Sequence, residues 1–133
     1  MIWTKIEVPT GTRVQLIDVT RQVAGQLSAS KVRNGMCHVY VPHTTAGVTI
    51  NENADPDVVA DIIDGLERIV PARGNYRHAE GNSDAHIKAS IVGFSCMVPV
   101  IDGRLALGTW QGIYFCEFDG PRTRKMLIGV AGD

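Results

Sequence analysis

The chain has 133 residues, enough for one domain of ordinary size and too few for two independent cores. A 44% hydrophobic composition supplies a core at this length without disulfides or structural metals, and with 20% charged residues it excludes a disordered chain. Thirteen Lys and Arg against fourteen Asp and Glu leave a net charge of -1, without the strong positive field that nucleic-acid and anionic-membrane binders use. The apolar content is slightly high for so small a monomer, which predicts burial against a partner subunit. Cys37, Cys96 and Cys116 are odd in number, form no C-x-x-C pair and lie among apolar residues, so reduced, buried thiols are expected. No signal-peptide pattern and no bilayer-length apolar run is present, which predicts a soluble cytoplasmic protein.

The alternation from Ile2 to Val8 predicts a strand, with a turn at Pro9, Gly11 and Thr12 leading hairpin-like into a second strand over Arg13 to Val19. Val19, Val23 and Leu27 then recur every four residues, predicting a short helix from Thr20 that ends before Asn34-Gly35. Met36 to Val41 and Gly47 to Asn51 read as strands separated by His43-Thr44-Thr45-Ala46. Asp55 as N-cap, Pro56 at the first helical position and an apolar stripe over Val58, Val59, Ile62, Ile63, Leu66 and Ile69 predict a helix closed by Pro71. A long polar loop over Ala72 to Asp84 follows, then a short helix over Ala85 to Val92 capped by Asp84. The rest reads as strand: Ser95 to Ile101, an Asp102-Gly103 turn, Leu105 to Phe118, an Asp119-Gly120-Pro121 turn and Arg122 to Val130. These elements predict a single α+β domain over residues 1–133, with a mixed or antiparallel sheet packed by two or three helices.

His43 ends a strand beside Thr44 and Thr45. If the strands flanking it pair, Asn51 and Glu52 share its sheet edge, giving an imidazole and a carboxylate for acid/base work or ligation. His38, inside an apolar run, reads as a structural imidazole. His78 and His86 bracket Asn82, Ser83 and Asp84. Convergence of these two with His43 would make an open site for zinc or another divalent ion, and the alternative is that they are solvated. In Gly108-Thr109-Trp110-Gln111-Gly112 the glycines mark a bulge or close approach to a ligand, and the Gln111 amide needs a hydrogen-bond partner. Arg122, after a turn, can grip a phosphate in bidentate fashion, whereas Arg124 and Lys125 read as charges on an edge strand. No P-loop, G-x-G-x-x-G, G-x-S-x-G or H-E-x-x-H motif occurs, so nucleotide-cofactor and serine-hydrolase chemistry have no support.

Four blocks, His43 to Glu52, Asn82 to His86, Gly103 to Gln111 and Asp119 to Arg122, occur together and in an order that resembles the YjbQ family along nearly the whole chain. The resemblance implies a folded sheet closing into a pseudo-barrel, and a homotrimer with sites near the subunit boundaries. It also implies a secondary thiamine-phosphate synthase activity, joining hydroxymethylpyrimidine pyrophosphate to a thiazole phosphate with loss of pyrophosphate. Under it, Glu52, His43 and Asp84 are catalytic candidates. Thr44, Asn51, Asn82, Thr109, Trp110, Gln111 and Arg122 are substrate or phosphate contacts, and His43, His78 and His86 are ligands for zinc or magnesium. A metal-dependent hydrolase of the phosphatase type and a non-catalytic trimeric metal- or metabolite-binding protein are the competing expectations.

Overall fold

The computed structural model describes residues 1–133. Strands β1 (Ile2–Pro9) and β2 (Gln15–Asp18) precede helix α1 (Thr20–Ser30), strands β3 (Gly35–Tyr40) and β4 (Ala46–Glu52), and helices α2 (Pro56–Ile69) and α3 (Ser83–Val92). Strands β5 (Ser95–Ile101), β6 (Arg104–Leu105), β7 (Gln111–Glu117) and β8 (Thr123–Gly132) complete the chain. All strand pairs are antiparallel, in a five-stranded sheet ordered β1-β8-β3-β5-β6 and a three-stranded sheet ordered β2-β7-β4. The chain is thus a single α+β unit, as the element pattern predicts.

Period-2 alternation decides what each strand buries. Val39, Val98, Met126 and Ile128 of the larger sheet meet Val48, Ile113 and Phe115 of the smaller one, and Val23 and Leu27 of α1 complete this main core. Tyr114 and Cys116 face the other way and, with Phe118, pack on Ala85 and Ala89 of α3 and on Val59 and Leu66 of α2. The α3 helix lies tight on β4 because Gly47 has no side chain: a Cβ there would stand 2.4 Å from the Gly93 carbonyl oxygen. Asp55 caps α2 by accepting from Asp57 N–H at 2.9 Å, with Pro56 at its first position. No α2 side chain is fully buried, however, and Ile69 is 72% exposed.

A second apolar surface stays uncovered on the outer face of the larger sheet, where Trp3, Met36, Tyr40 and Met97 remain exposed. Trp3 lies across Gly129, where a Cβ would come within 2.8 Å of its ring. No helix is long and apolar enough to cross a membrane. The three cysteines are free, and burial pushes the thiols of Cys37 and Cys96 up to about 11 and that of Cys116 up to about 12.

Several expected local features differ. β1 and β2 do not form a hairpin: β1 pairs with β8 and β2 with β7 in the other sheet, because the inward residues of each strand face the core from opposite sides. The expected long strand from Leu105 to Phe118 is cut by the turn Leu107 to Trp110, which the Gln111 side chain closes by accepting from Gly108 N–H. α3 starts two residues earlier than its apolar residues indicate, at Ser83, with Asn82 rather than Asp84 at the cap. His38 points outward, its ring 6.2 Å from Trp3. β8 is an internal strand, so Arg124 is buried rather than a solvated edge charge.

Candidate functional site

The Ala46↔Glu117 end of the three-stranded sheet is organised by a buried ion pair between the sheets. Arg124, reaching inward from β8, donates through Nε to both oxygens of Glu117 at 2.8 and 3.0 Å, and through Nη2 to Glu117 and to Thr45 Oγ1 at 2.8 Å. Glu117 also accepts from Thr10 Oγ1 at 2.8 Å and from the N–H groups of Phe118 and Asp119, both at 3.1 Å. Burial alone would raise the carboxyl pKa, but these donors, Arg124 first, outweigh it and hold Glu117 below the usual carboxylate range.

Above this pair opens a polar pocket of about 440 Å³, in whose lining Pro42 alone has an apolar side chain. Pro42, His43, Thr44 and Thr45 form one wall, Asp119, Arg122 and Arg124 a second, and Glu80, Asn82 and His86 a third. His43 Nε2 accepts the Lys125 backbone N–H at 2.9 Å, and burial followed by the nearby Arg124 charge lowers its pKa. Arg122 folds onto the turn, donating through Nε to the Asp119 carbonyl at 2.9 Å and through Nη2 to Asp119 Oδ2 at 3.2 Å, with its side chain half exposed. Asn82 Nδ2 donates to the same Oδ2 at 2.9 Å, while the buried Asn82 Oδ1 has no partner. At the opening of α3 the Ala85 and His86 N–H groups are already bonded to the Asn82 carbonyl, at 3.0 and 3.3 Å. Polar side chains therefore converge from three walls, the Glu80 and Asp119 carboxylates among them.

Asn51, Glu52, Thr109, Trp110 and Gln111 do not join this pocket. β3 and β4 lie in different sheets, so the expected pairing that would bring Glu52 beside His43 does not occur. The six residue steps along β4 from Ala46 carry Glu52 roughly 20 Å to the opposite end of the sheet. There Glu52 is in register with Gln111, and its carbonyl accepts from Tyr114 OH at 3.1 Å. Gln111 Oε1 accepts from Gly108 N–H at 2.8 Å, so the predicted amide partner is the turn itself, and Trp110 is left 63% exposed. Asp18, which sequence patterning does not single out, ties this end together by accepting from Thr20 N–H at 2.9 Å and Asn53 Nδ2 at 3.2 Å.

Asp84 is not available to a substrate. Its side chain is fully buried and takes both guanidinium arms of Arg13, at 2.9 and 3.2 Å, and Lys88 Nζ at 3.0 Å; Lys88 in turn pairs with Glu67. Burial pushes the Asp84 carboxyl up, yet Arg13 and Lys88 hold it below its ordinary value. It fastens α3 to α2 and to the segment before β2, a structural role in place of the expected catalytic one.

The three histidines do not fit a metal centre. His78 and His86 pack edge to face with ring centroids 5.5 Å apart, but His78 lies outside the polar pocket and pairs with Glu80 at 3.6 Å. His43 has already committed Nε2 to a backbone donor, and no group of three or more His, Cys, Asp or Glu side chains is placed to hold an ion.

Glu80, Asp119 and Arg124 of the pocket walls, and Glu117 beneath them, are not anticipated from local sequence. Their signal was nonetheless present, since Glu117 follows the apolar run Ile113 to Cys116, and Arg124 shares a strand face with Met126 and Ile128. Opposite charges on two inward strand faces need each other.

A sequence profile described as "UPF0047 protein YjbQ-like" matches residues 4–133. A UPF0047 protein of Methanocaldococcus jannaschii is 52% identical over 97% of this chain and 94% of its own length. The UPF0047 protein YugU of Bacillus subtilis is 51% identical over 96% and 97%. Among solved structures, an uncharacterised YjbQ/UPF0047 protein of Clostridium acetobutylicum superposes with a TM-score of 0.95 at 51% identity, covering 96% of this chain and 99% of that one. A hypothetical protein of Aeropyrum pernix K1 gives 0.95 at 41% identity, with full coverage of both chains.

Proposed function

The chain belongs to the YjbQ-like UPF0047 family, and from that premise we propose that its polar pocket holds the phosphoryl groups of a small-molecule substrate. The reaction proposed there is a cytoplasmic thiamine-phosphate synthase step. The observation that carries this reading is the pocket itself, in which Arg122, Arg124, His43 and Asn82 stand around a space where Pro42 alone is apolar. In that step the thiazole ring nitrogen attacks the methylene carbon of hydroxymethylpyrimidine pyrophosphate. A C–N bond forms, the C–O bond breaks, and the electron pair leaves on pyrophosphate. Converging donors stabilise the charge that develops on this leaving group.

The step needs no base, because the attacking nitrogen carries no proton. Of the two carboxylates that line the pocket, Asp119 is already bonded to Asn82 and Arg122, and Glu80 stands 3.6 Å from His78. A metal-dependent hydrolase would have to activate water, and its expected three-histidine site does not fit the residues present. The same saturation of Asp119 favours, as a second reading, a non-catalytic protein that binds phosphorylated metabolites.

Glu52 and Trp110 enter this proposal through a homotrimer. Cyclic assemblies join two different faces of each subunit. Two uncovered apolar surfaces, one on the larger sheet and one on the α2 layer, support such burial. In the trimer, the Glu52/Trp110 end of one subunit closes the polar pocket of the next, and Trp110 supplies a stacking surface for a heteroaromatic ring.

The test is an assay of purified protein with both substrates, following thiamine phosphate and pyrophosphate together, beside an assay with a generic phosphate ester. Condensation without ester cleavage is expected. Ester cleavage alone would overturn the synthase reading, and phosphate binding with neither turnover would leave the binding protein.

A further inference from the structure

We infer that His43 serves this pocket as a neutral hydrogen-bond donor, its single ring proton fixed on Nδ1, and not as a proton-accepting base or a metal ligand. The inference begins with the backbone of β8. The β3–β8 ladder ends at Tyr40↔Leu127, and continuing its register sets Pro42 opposite Lys125. The Lys125 N–H therefore lies just past the last strand pair, and His43 Nε2 receives it at 2.9 Å in place of a strand carbonyl. A nitrogen that accepts a hydrogen bond carries no proton, and neutral imidazole has one proton to place, so it resides on Nδ1.

Both alternatives conflict with that bond. Protonating Nε2 sets two donors face to face. A metal on Nε2 displaces the Lys125 N–H, and a metal on Nδ1 requires that nitrogen to lose the ring's only proton. Burial opposes an imidazolium first, the Arg124 and Arg122 charges add to it, and Glu117, which favours it, is engaged by Arg124. Glu80, Asp119 and His86 stand on the other walls, with Asp119 occupied by Asn82 and Arg122. No protein acceptor takes His43 Nδ1–H. Resting on the reading of this pocket as a phosphoryl site, the consequence is that Nδ1–H donates to a phosphoryl oxygen and stabilises its charge without giving up the proton.

Long-range proton–nitrogen correlation NMR on histidine-labelled protein, recorded without ligand, reads the tautomer directly, with His43→Gln assigning the resonance. The expected result at neutral pH is a pyrrole-type Nδ1 and a pyridine-type Nε2. An Nε2–H tautomer, an imidazolium at neutral pH, or stoichiometric zinc moving the His43 signals would overturn the inference. A titration with inorganic phosphate tests the donor role. His43→Asn, whose amide nitrogen can stand in for Nδ1, retains affinity within about threefold. His43→Gln, whose carbonyl can stand in for Nε2, keeps the Lys125 bond and loses about tenfold, the worth of one hydrogen bond. Equal affinity of His43→Gln and the wild type overturns the donor role. The expected tautomer in a wild-type protein that binds no phosphate supports the proton placement and overturns the phosphoryl-site reading instead.

Discussion

The two ends of the three-stranded sheet are built on opposite plans. At the Ala46↔Glu117 end the polar groups are held by a buried pair, Arg124 with Glu117, so the pocket above has a fixed floor and fixed donors before any ligand arrives. At the Glu52↔Gln111 end the polar groups close on their own neighbourhood: Gln111 on Gly108, Asn51 on the Glu52 N–H, Asp18 on Thr20 and Asn53. What remains there is an exposed indole on a closed turn. One end is a preformed polar pocket, and the other is an exposed edge whose polar groups are spent on one another.

The largest difference between the ends should appear in stability. Glu117→Ala leaves Arg124 buried without its counter-charge and is expected to cost about 3–5 kcal/mol, read from urea unfolding. Glu52→Ala, at the open end, should stay within about 0.5 kcal/mol. Equal losses would break the comparison. Asp84→Asn, which removes the charge facing Arg13 and Lys88, should cost about 3 kcal/mol, at the lower edge of that range because Lys88 keeps Glu67.

Ligand binding sharpens the contrast on a smaller scale. Arg122→Ala should weaken binding of inorganic phosphate about 10- to 100-fold by calorimetry, the worth of a hydrogen bond to a charged group, with little change in urea midpoint. Trp110→Ala should leave inorganic phosphate binding unchanged while lowering turnover of the complete substrates. The pH dependence of stability is the mildest probe. The Glu117 and Asp84 carboxyls are held below their ordinary values in the fold, so their contribution is complete above about pH 4 and is lost as pH falls through the folded values. His43, also lowered, acts in the same sense, its small contribution fading as pH falls from about 6.5. The urea midpoint should be nearly flat between neutral pH and about 6.5, decline slightly below that, and drop steeply below about 4. A midpoint that rises on acidification would contradict these directions.

The elements that follow a clear period were legible in the sequence: β5 starts and ends where its alternation does, and α2 carries the expected Asp55 cap and Pro56. The pocket was half legible. His43, Thr44, Asn82 and Arg122 meet as their residue types indicate, with His86 beside them. Asn51 and Glu52 are expected beside His43 because closeness in sequence between β3 and β4 reads as pairing, whereas Thr109, Trp110 and Gln111 are expected there only through the family resemblance. A crossover between two sheets leaves no local mark, and neither does the partner of a buried charge. Asp84 shows the same limit, since its position near a helix start says cap until Arg13, 71 residues away, closes on it.

The most direct test of a site shared between subunits is complementation. Arg122→Ala subunits and Trp110→Ala subunits, each of much lowered activity alone, are unfolded together, refolded as a mixture and assayed for pyrophosphate release. With random mixing in a cyclic trimer every mixed assembly contains one intact site, so about a quarter of wild-type activity should return. If the mixture stays as inactive as its parents while assembling normally, the two ends do not meet across a subunit boundary and the composite site is wrong.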